Sequence, residues 1–469
     1  MNPTSWSGRV AAVPADRIAV LGSDGPVTYG ELRERAAALA GWLDDLGAPA
    51  GRPVGAVVDS SATALALVVA GAATGRPVAP LNPRHTATEL AAVCAAVDPS
   101  LVVADPASAD VIDGSRVIPG RPRAARLPSQ MGSPSGSGLA AVLHTSGTTG
   151  PPRPVRVRQD RLVARTELYR SILGVGPDSV LATTSPFHHT TALGMAFVTL
   201  GVGATWIGVD RFTVEAYAAR VAGRATHVVV VPTMIDRLLD ADGLGADTAA
   251  STFVYGGAPM PPPLMERLVE AVPGVAVHQI YGQTEGSPLF HLDAADHVAI
   301  AAGDHRLTGS VGRAVAGVTA AIADPDHAGV GELLARAGHL FSPGADGWLH
   351  TGDLGVIDDD GYLFLRGRLA DRIVRGGENV DPSEVEAVLA AHPTVADVAV
   401  VGVADEHESE SVVAFVVPTD PGGRLDEASL VRHARDVLAG YKVPTRWVVV
   451  TEIPRNQTGK VLRRALIGG

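Results

Sequence analysis

Val54-Gly55-Ala56-Val57-Val58, then Ala62 to Ala73, Val78-Ala79-Pro80 and Leu101-Val102-Val103-Ala104, form the stretch that sets the fold class. The first run is wholly apolar and rich in valine, so it reads as a strand buried on both faces. The alanine-rich run after it has the length of a helix, and two more extended pieces follow. This βαβα order predicts a parallel sheet with helices on both faces. Upstream, Thr28-Tyr29-Gly30-Glu31-Leu32 opens an amphipathic helix running to about Leu46, with Thr28 as its N-cap. Downstream, residues 105–138 are rich in Pro, Ser, Gly and Arg and have no period, which predicts a loop with one short strand. Arg121, Arg123 and Arg126 read there as solvated charges.

Alternation resumes at Ala140. Thr226 to Val231 is a strongly β-branched strand, followed by Pro232-Thr233-Met234 and a helix through Leu239. Phe253-Val254-Tyr255 and Ala276 to Ile280 are further strands. Residues 300–366 turn to short strands with glycine turns, the pattern of a small β-barrel. After about residue 370 a compact α+β unit is expected: helix Pro382–Ala391, strands Val395–Gly402 and Val412–Pro418, helix Asp426–Ala439 and strand Trp447–Val450.

Composition narrows the function classes. The 469 residues suggest about three domains, or one large and one small. With 38 basic and 50 acidic residues the net charge is −12, which argues against a dedicated nucleic-acid binder. A hydrophobic share of 46% against 19% charged leaves ample material for a core and no case for global disorder. Cys94 is the only cysteine, so an internal disulfide and a cysteine-based zinc site are excluded, and the residue itself reads as buried structure. Met1 to Trp6 lacks a signal-peptide pattern, and Ala62 to Ala73 is too short to span a bilayer. A cytoplasmic protein without membrane or nucleic-acid partners is expected, as a monomer or homodimer.

Four segments carry chemistry. His144-Thr145-Ser146-Gly147-Thr148-Thr149-Gly150-Pro151-Pro152-Arg153-Pro154-Val155 follows an apolar run, and its glycines and four hydroxyls can wrap a polyphosphate. It lacks the Gly-Lys-Ser/Thr of a Walker loop. Tyr281-Gly282-Gln283-Thr284-Glu285 directly follows a predicted strand, where α/β sheets bind ligands. A hydroxyl beside a carboxylate suits a phosphate oxygen with its Mg²⁺, although a helix cap with an acidic first turn reads the same way. Gly347-Trp348-Leu349-His350-Thr351-Gly352-Asp353, with Gly367-Arg368, offers an aspartate for two ribose hydroxyls and an arginine beside it. Pro454-Arg455-Asn456-Gln457-Thr458-Gly459-Lys460 places a lysine on a tail loop.

In this order and spacing the four segments resemble the acyl-adenylating (AMP-forming) superfamily of acyl-CoA synthetases, adenylation domains and luciferases, from about Thr28 to Leu466. The resemblance implies a large N-terminal domain of parallel-type sheets (1–367), a hinge at 368–371 centred on Ala370, and a small mobile α+β C-terminal domain (372–469). It implies that Thr145, Ser146, Gly147, Thr148, Thr149 and Gly150, with Arg153, bind ATP phosphates, and that Gly256-Gly257-Ala258-Pro259 resembles the adenine loop. Tyr281, Gly282 and Gln283 belong to the nucleotide site, Thr284 matches the α-phosphate contact, and Glu285 and Thr148 match Mg²⁺ ligands. Asp353 and Arg368 match the ribose pair. Lys460 matches the lysine that bridges the acid and the α-phosphate, and Gly376, Gly377 and Glu378 match the loop of a second, thioester-forming orientation.

Pro186-Phe187-His188-His189 resembles the family's Pro-x-aromatic-His segment. His189 then lines the carboxylate pocket, with His188 in the aromatic slot. By the same analogy the acid pocket is built from His189, Thr233, Met234, Tyr255, Gly256, Tyr281 and Gln283. Tyr255 and Tyr281 would suit a planar ring, and His188, His189 and Gln283 could bond its substituents.

Departures stand out at three places. Arg153-Pro154 replaces the usual Lys-Gly after the phosphate loop, which keeps the charge but stiffens the chain and removes a donor. Ala370 sits where the hinge usually has Asp or Lys. Glu408 and Ser409 stand where CoA-using relatives often have an aromatic residue and a glycine, and a carboxylate there would repel CoA phosphates. The expected reaction is ATP- and Mg²⁺-dependent activation of a small or aromatic acid, then transfer to CoA. Two alternatives remain: adenylation with an amine or carrier-protein thiol as acceptor, including a nitrite-activating relative, and an adenylate-binding protein with lost catalysis. Retention of Lys460, Glu285 and Asp353 argues against the last.

Overall fold

A computed structural model describes the chain except for residues 1–3, 112–113, 120–137, 146–151, 245–248, 259, 406–408, 421–424, 456–460 and 468–469. Two compact units result: residues 1–308 with 312–319 and 336–349, and residues 309–311 with 320–335 and 350–469. The hinge expected at 368–371 falls within the second unit, where Leu369–Asp371 forms a single 3-10 turn.

The first unit holds strands β1 (Ile18–Gly22), β2 (Gly25–Thr28), β3 (Val54–Val57), β4 (Val78–Pro80), β5 (Leu101–Ala104), β6 (Arg116–Val117), β7 (Leu139–Thr145) and β8 (Arg153–Arg158). Further along come β9 (Val180–Thr183), β10 (Thr205–Gly208), β11 (His227–Val230), β12 (Thr252–Gly256), β13 (Ala276–Gln283) and β14 (Gly286–Leu292). One sheet runs β6-β5-β3-β4-β7-β8, and within the same unit the other runs β14-β13-β12-β11-β9-β10-β1-β2. Strands β3 and β11 are buried at every residue, as their continuous apolar runs require.

The connecting helices start where the sequence provides caps. Thr28 and Glu31 form a reciprocal capping box at the head of Tyr29–Asp45. Ser61 caps Ala62–Thr74, which stops at Gly75 in the left-handed region (φ 72°). Trp6, on the helix Trp6–Ala12, packs edge-on to Phe197 at 4.7 Å and donates its indole N–H to the Phe197 carbonyl at 2.7 Å. Each large apolar side chain enclosed in this way contributes about 1.5–3 kcal/mol. Cys94 is half-buried and packs beside Leu90 and Val93.

Two features of these sheets decide where ligands can go. In the second sheet the chain passes from β9 to β10 on one side, then returns across β9 to β11 on the other. The crevice between the ends of β9 and β11 is therefore a topological switch point. In the first sheet β8 lies outermost and antiparallel to β7, with Arg153 opposite Thr145 and Pro154 opposite His144. Pro154 thus stands on an edge strand, where a missing N–H is tolerated.

In the second unit Leu349–Ile357 and Tyr362–Arg368 pair antiparallel in a linear succession of strands. The C-terminal α+β unit is present. Val395–Asp405 and Ser409–Pro418 form its long hairpin, flanked by Ile373–Arg375, Glu378–Val380 and Arg446–Val449. Helices Pro382–Ala390 and Glu427–Arg435 contribute Val385, Leu389 and Leu430 to its core. The second helix ends at Arg435, earlier than its sequence pattern predicts, and a 3-10 turn follows at Gly440–Lys442.

Candidate active site

Parallel strands aim their carboxyl ends at one edge of a sheet, and the expected residues of the first unit gather there. His188 and His189 follow β9, and Thr233 and Met234 follow β11. Gly257 and Ala258 follow β12, and Thr284 and Glu285 follow β13. The β9 and β11 loops flank the switch point, so the histidine pair and the Thr233-Met234 turn face the crevice where such sheets bind ligands.

Tyr281-Gly282-Gln283-Thr284-Glu285 does not lead into a helix. Tyr281 to Gln283 finish β13, Thr284 and Glu285 make the turn, and Gly286 begins β14 opposite Gln283. The sequence reading missed β14. The turn is tightly held: the Phe341 N–H donates to the Glu285 carbonyl at 2.7 Å, and the Thr190 hydroxyl donates to the Thr284 hydroxyl at 2.9 Å. Thr190 opens the helix Thr190–Val202, so the helix that carries the histidine loop is tied to the turn. The Glu285 carboxylate is half-exposed and makes no hydrogen bond or ion pair among the described residues. A free carboxylate beside a hydroxyl suits a hard cation carrying phosphate oxygens.

Two glycines fix the distance between the strands bearing these turns. A Cβ on Gly256 would stand 2.4 Å from the Ile280 carbonyl oxygen on β13, and one on Gly282 would meet the Gly286 oxygen at 2.8 Å. Gly257 has φ +79°, and a Cβ there would make only an ordinary contact, to Val231 Cγ1 at 3.9 Å.

Histidines crowd the same edge. The His188 and His189 rings lie 4.5 Å apart, centroid to centroid. His144, near the end of β7, faces His85 edge-on at 6.0 Å, because β4 and β7 are parallel neighbours and His85 follows β4. Burial, then the fields of His85 and His189, push the His144 imidazole down to about 4. Burial and the fields of His189, His144, His85 and Arg84 hold His188 still further below the ordinary histidine range. No carboxylate acts on either ring. Among the described residues, the buried His85 Nδ1, His144 Nδ1 and His188 Nε2 have no hydrogen-bond partner. Among the described residues, no group of three or more His, Cys, Asp or Glu side chains is placed to hold a metal ion. The sequence reading passed over His85 and Thr190, since nothing local links either to the site.

The other expected residues are placed as follows. Tyr255 is enclosed: it is 2% exposed, and its hydroxyl meets Gln279 Oε1 at 3.2 Å and His297 Nε2 at 2.9 Å. Side chains alternate along a strand, so Tyr255 and Gly256 face opposite ways. Met234 is buried, with its sulfur accepting from the Thr184 hydroxyl, whereas Thr233 is exposed. Tyr281 stays half-exposed and packs edge-on to Phe290 at 6.1 Å. Arg153 belongs to β8 and is exposed.

In the second unit Asp353 and Arg368 face each other across the hairpin, and Arg368 Nε meets Asp353 Oδ1 at 2.8 Å. The Asp353 N–H donates to the Thr351 hydroxyl, which itself donates to the Leu333 carbonyl. Gly376 and Gly377 form a left-handed turn (φ 57° and 88°) between Ile373–Arg375 and Glu378–Val380, where Glu378 is exposed. Ser146 to Gly150, Pro259, Glu408 and Lys460 lie outside the described residues, as do Arg121, Arg123 and Arg126.

Comparison with known proteins accords with this geometry. Residues 8–343 match the model of the AMP-binding enzymes, and residues 384–460 match that of the AMP-binding enzyme C-terminal domain. A 2-succinylbenzoate–CoA ligase of Bacillus cereus (strain Q1) is 28% identical, with 98% of each chain covered. The ATP-bound structure of MatB from Rhodopseudomonas palustris superposes with a TM-score of 0.88 at 29% identity, covering 100% of this chain and 98% of that one. The amide bond synthetase McbA from Marinactinospora thermotolerans superposes with a TM-score of 0.85 at 30% identity, covering 99% of each. No helix among the described residues is long and apolar enough to cross a membrane.

Proposed function

The chain belongs to the AMP-binding enzyme family, and on that premise we propose that it activates a small carboxylic acid with ATP and passes the acyl group to coenzyme A. A carboxylate oxygen of the acid attacks the α-phosphorus. The bond from that phosphorus to the β-phosphate bridging oxygen breaks, and pyrophosphate leaves an acyl-adenylate. The thiolate sulfur of coenzyme A then attacks the acyl carbon, and AMP departs.

The observation that carries this reading is the gathering of His189, Gly257, Ala258, Thr284 and Glu285 at the carboxyl edge of one parallel sheet, with the Glu285 carboxylate unpaired among the described residues. The first step sets an anion against an anion, so the site must supply positive charge and donors. Mg²⁺ held by Glu285 and Thr148 would neutralise phosphate charge. Thr284 would hold the α-phosphate, Thr145 to Gly150 the outer phosphates, and Lys460 would supply the cation of the adenylation step. Asp353 would accept from the ribose hydroxyls, with Arg368 fixing its carboxylate. Gly256 to Pro259 would lie along the adenine. For the second step the C-terminal residues after a hinge at Ala370 would reorient and present Gly376 to Glu378.

Coenzyme A is the acceptor in the name of the Bacillus cereus relative, whereas the likeness to an amide bond synthetase supports an amine as the second reading. The test is acid-dependent exchange of labelled pyrophosphate into ATP with Mg²⁺. Exchange is expected with at least one carboxylic acid, and added coenzyme A should then release AMP. Exchange followed by product only when an amine is added would replace the thioester by an amide. ATP binding with no exchange for any acid would refute the activation step.

A further inference from the structure

We propose that Arg165 is a positioning residue for the adenylation step: its enclosed guanidinium locks together the three segments that clamp the Thr284-Glu285 turn. The inference rests on the acid-activating function above and deepens it.

Three segments reach the turn and the first residues of β14, each through its own hydrogen bond. The helix Thr190–Val202 does so through Thr190, whose hydroxyl donates to the Thr284 hydroxyl at 2.9 Å. The segment around Phe341 does so through the backbone, where the Phe341 N–H donates to the Glu285 carbonyl at 2.7 Å. The helix Gln159–Leu173 does so through Tyr169, whose hydroxyl bonds the Ser287 hydroxyl at 3.0 Å. His339 adds a contact to the next residue, with its Nε2 2.8 Å from the Pro288 carbonyl oxygen.

Arg165 touches all three segments. It stands on Gln159–Leu173 one turn before Tyr169, so the two side chains share a face of that helix. Its Cζ lies 5.4 Å from the centre of the Tyr169 ring and 5.8 Å from that of Phe341, both within cation–π range. Its third neighbour is Gly194 on Thr190–Val202. A Cβ on Gly194 would stand 2.7 Å from one terminal guanidinium nitrogen and 3.2 Å from Cζ, so the group lies against bare backbone that only glycine leaves open. One planar side chain therefore sets the spacing of two helices and the Phe341 segment at once. Arg161, one turn earlier on the same helix, donates to the Gly338 carbonyl and fastens the helix to that segment a second time.

Stability does not account for Arg165. It is 3% exposed, forms no ion pair among the described residues, and its Nε has no hydrogen-bond partner there. The aromatic faces replace only part of the hydration that burial removes. A cation enclosed in this way burdens the fold, and an apolar side chain of similar volume would relieve it. What the guanidinium supplies is a rigid plane. A flexible Met or Lys chain cannot lie flat against two rings and a glycine in the same way. Groups that hold reacting phosphate and its cation must be fixed to within about 0.5 Å, which is the precision such a plane provides to Thr284 and Glu285.

The test measures pyrophosphate exchange and urea unfolding side by side, with the acid that the unaltered protein activates best. In Arg165→Met the kcat of exchange should fall about 100-fold. The KM for ATP should stay within about threefold of the unaltered value, and the unfolding midpoint should hold or rise. Arg165→Lys keeps the charge but not the plane, so it should do no better than Arg165→Met. Recovery of most of kcat in the lysine variant would show that the charge acts directly, and would overturn the positioning role. Gly194→Ala displaces the guanidinium while leaving Arg165 in place. It should also lower kcat, and the double variant should be no slower than Arg165→Met alone. Losses that multiply in the double variant, an unchanged kcat in Arg165→Met, or a midpoint that falls in step with activity would each overturn the inference while leaving acid activation standing. Tyr169→Phe keeps the ring and its volume and removes only the link to Ser287, so it reports on the clamp even where an Arg165 variant fails to fold. Its kcat should fall at unchanged KM, and unaltered exchange in it would overturn the clamp. Absence of exchange with every acid in the unaltered protein refutes the activation reading and this inference with it.

Discussion

Gly256→Ala tests whether the spacing of β12 and β13 sets the geometry of the adenylating turn. The added Cβ would lie 2.4 Å from the Ile280 carbonyl oxygen, whereas ordinary contact begins at 3.4 Å, so the two backbones must part by 3.4 − 2.4 = 1.0 Å. Neither side can yield through a flexible side chain, because Gly256 and Ile280 are register partners in the parallel ladder. Overpacking of this kind costs about 1–3 kcal/mol of stability. The larger effect is expected on activity, since Ile280 is followed directly by Tyr281 to Glu285. A displacement of about 1 Å in a positioning group can cost about 100-fold in rate. Pyrophosphate exchange and urea unfolding should be measured together. Gly257→Ala is the control: its φ of +79° brings a conformational cost of about 1–2 kcal/mol, but only Val231 Cγ1, at 3.9 Å, comes within reach of its Cβ. Gly256→Ala should lose far more exchange activity than Gly257→Ala at similar stability. Wild-type exchange and an unchanged unfolding midpoint in Gly256→Ala would refute the reasoning.

Glu285→Gln should lower exchange at least about 100-fold, while the unfolding midpoint stays within about 0.5 kcal/mol because the carboxylate has no partner to lose; unchanged exchange would remove Glu285 from the site. Arg368→Met removes the ion pair to the buried Asp353 carboxylate, and the KM for ATP should rise about tenfold, equivalent to ~1.4 kcal/mol, with a smaller change in kcat; an unchanged KM would separate the pair from nucleotide binding. Burial holds His278 and His339 down at about 4 in the fold, against 6.5 when unfolded. Their neutral rings therefore contribute stability that is fully present above pH 6.5 and is lost as the pH falls from there towards 4. The slope approaches about 1.4 kcal/mol per pH unit for each ring, reduced by the part of each that stays hydrated. Urea midpoints that do not fall between pH 6.5 and 4 would contradict this.

Much of the fold is local chemistry and was legible as such. Valine-rich runs marked β3 and β11, and the Thr28 and Glu31 pair marked a helix start that the structure realises as a capping box. The site was legible where a short motif carries its own geometry, as at Thr284-Glu285. It was not legible where position depends on which strands become neighbours. His85 and His144 meet only because β4 and β7 pair in parallel, and no local pattern encodes that pairing. The hairpin partner β14 was missed because Gly286 to Leu292, with Pro288 inside it, has no clean alternation. Period-two alternation from Phe253 sets Tyr255 opposite Gly256 on β12, so the two cannot face the same side of the sheet.

Pro154 drew notice as a departure in a phosphate-binding segment, yet its place on β8 has a consequence for how copies of the chain behave together. An outermost strand offers a ladder of free donors and acceptors to any other strand in solution. Here that ladder lacks one donor at Pro154, and the exposed guanidinium side chains Arg153 and Arg156 stand on either side of it. A second copy approaching edge to edge would meet the gap in the ladder and charges like its own. Among the described residues β8 ends its sheet, so the residues that depart from the usual phosphate loop also make that edge a poorer template for a second strand.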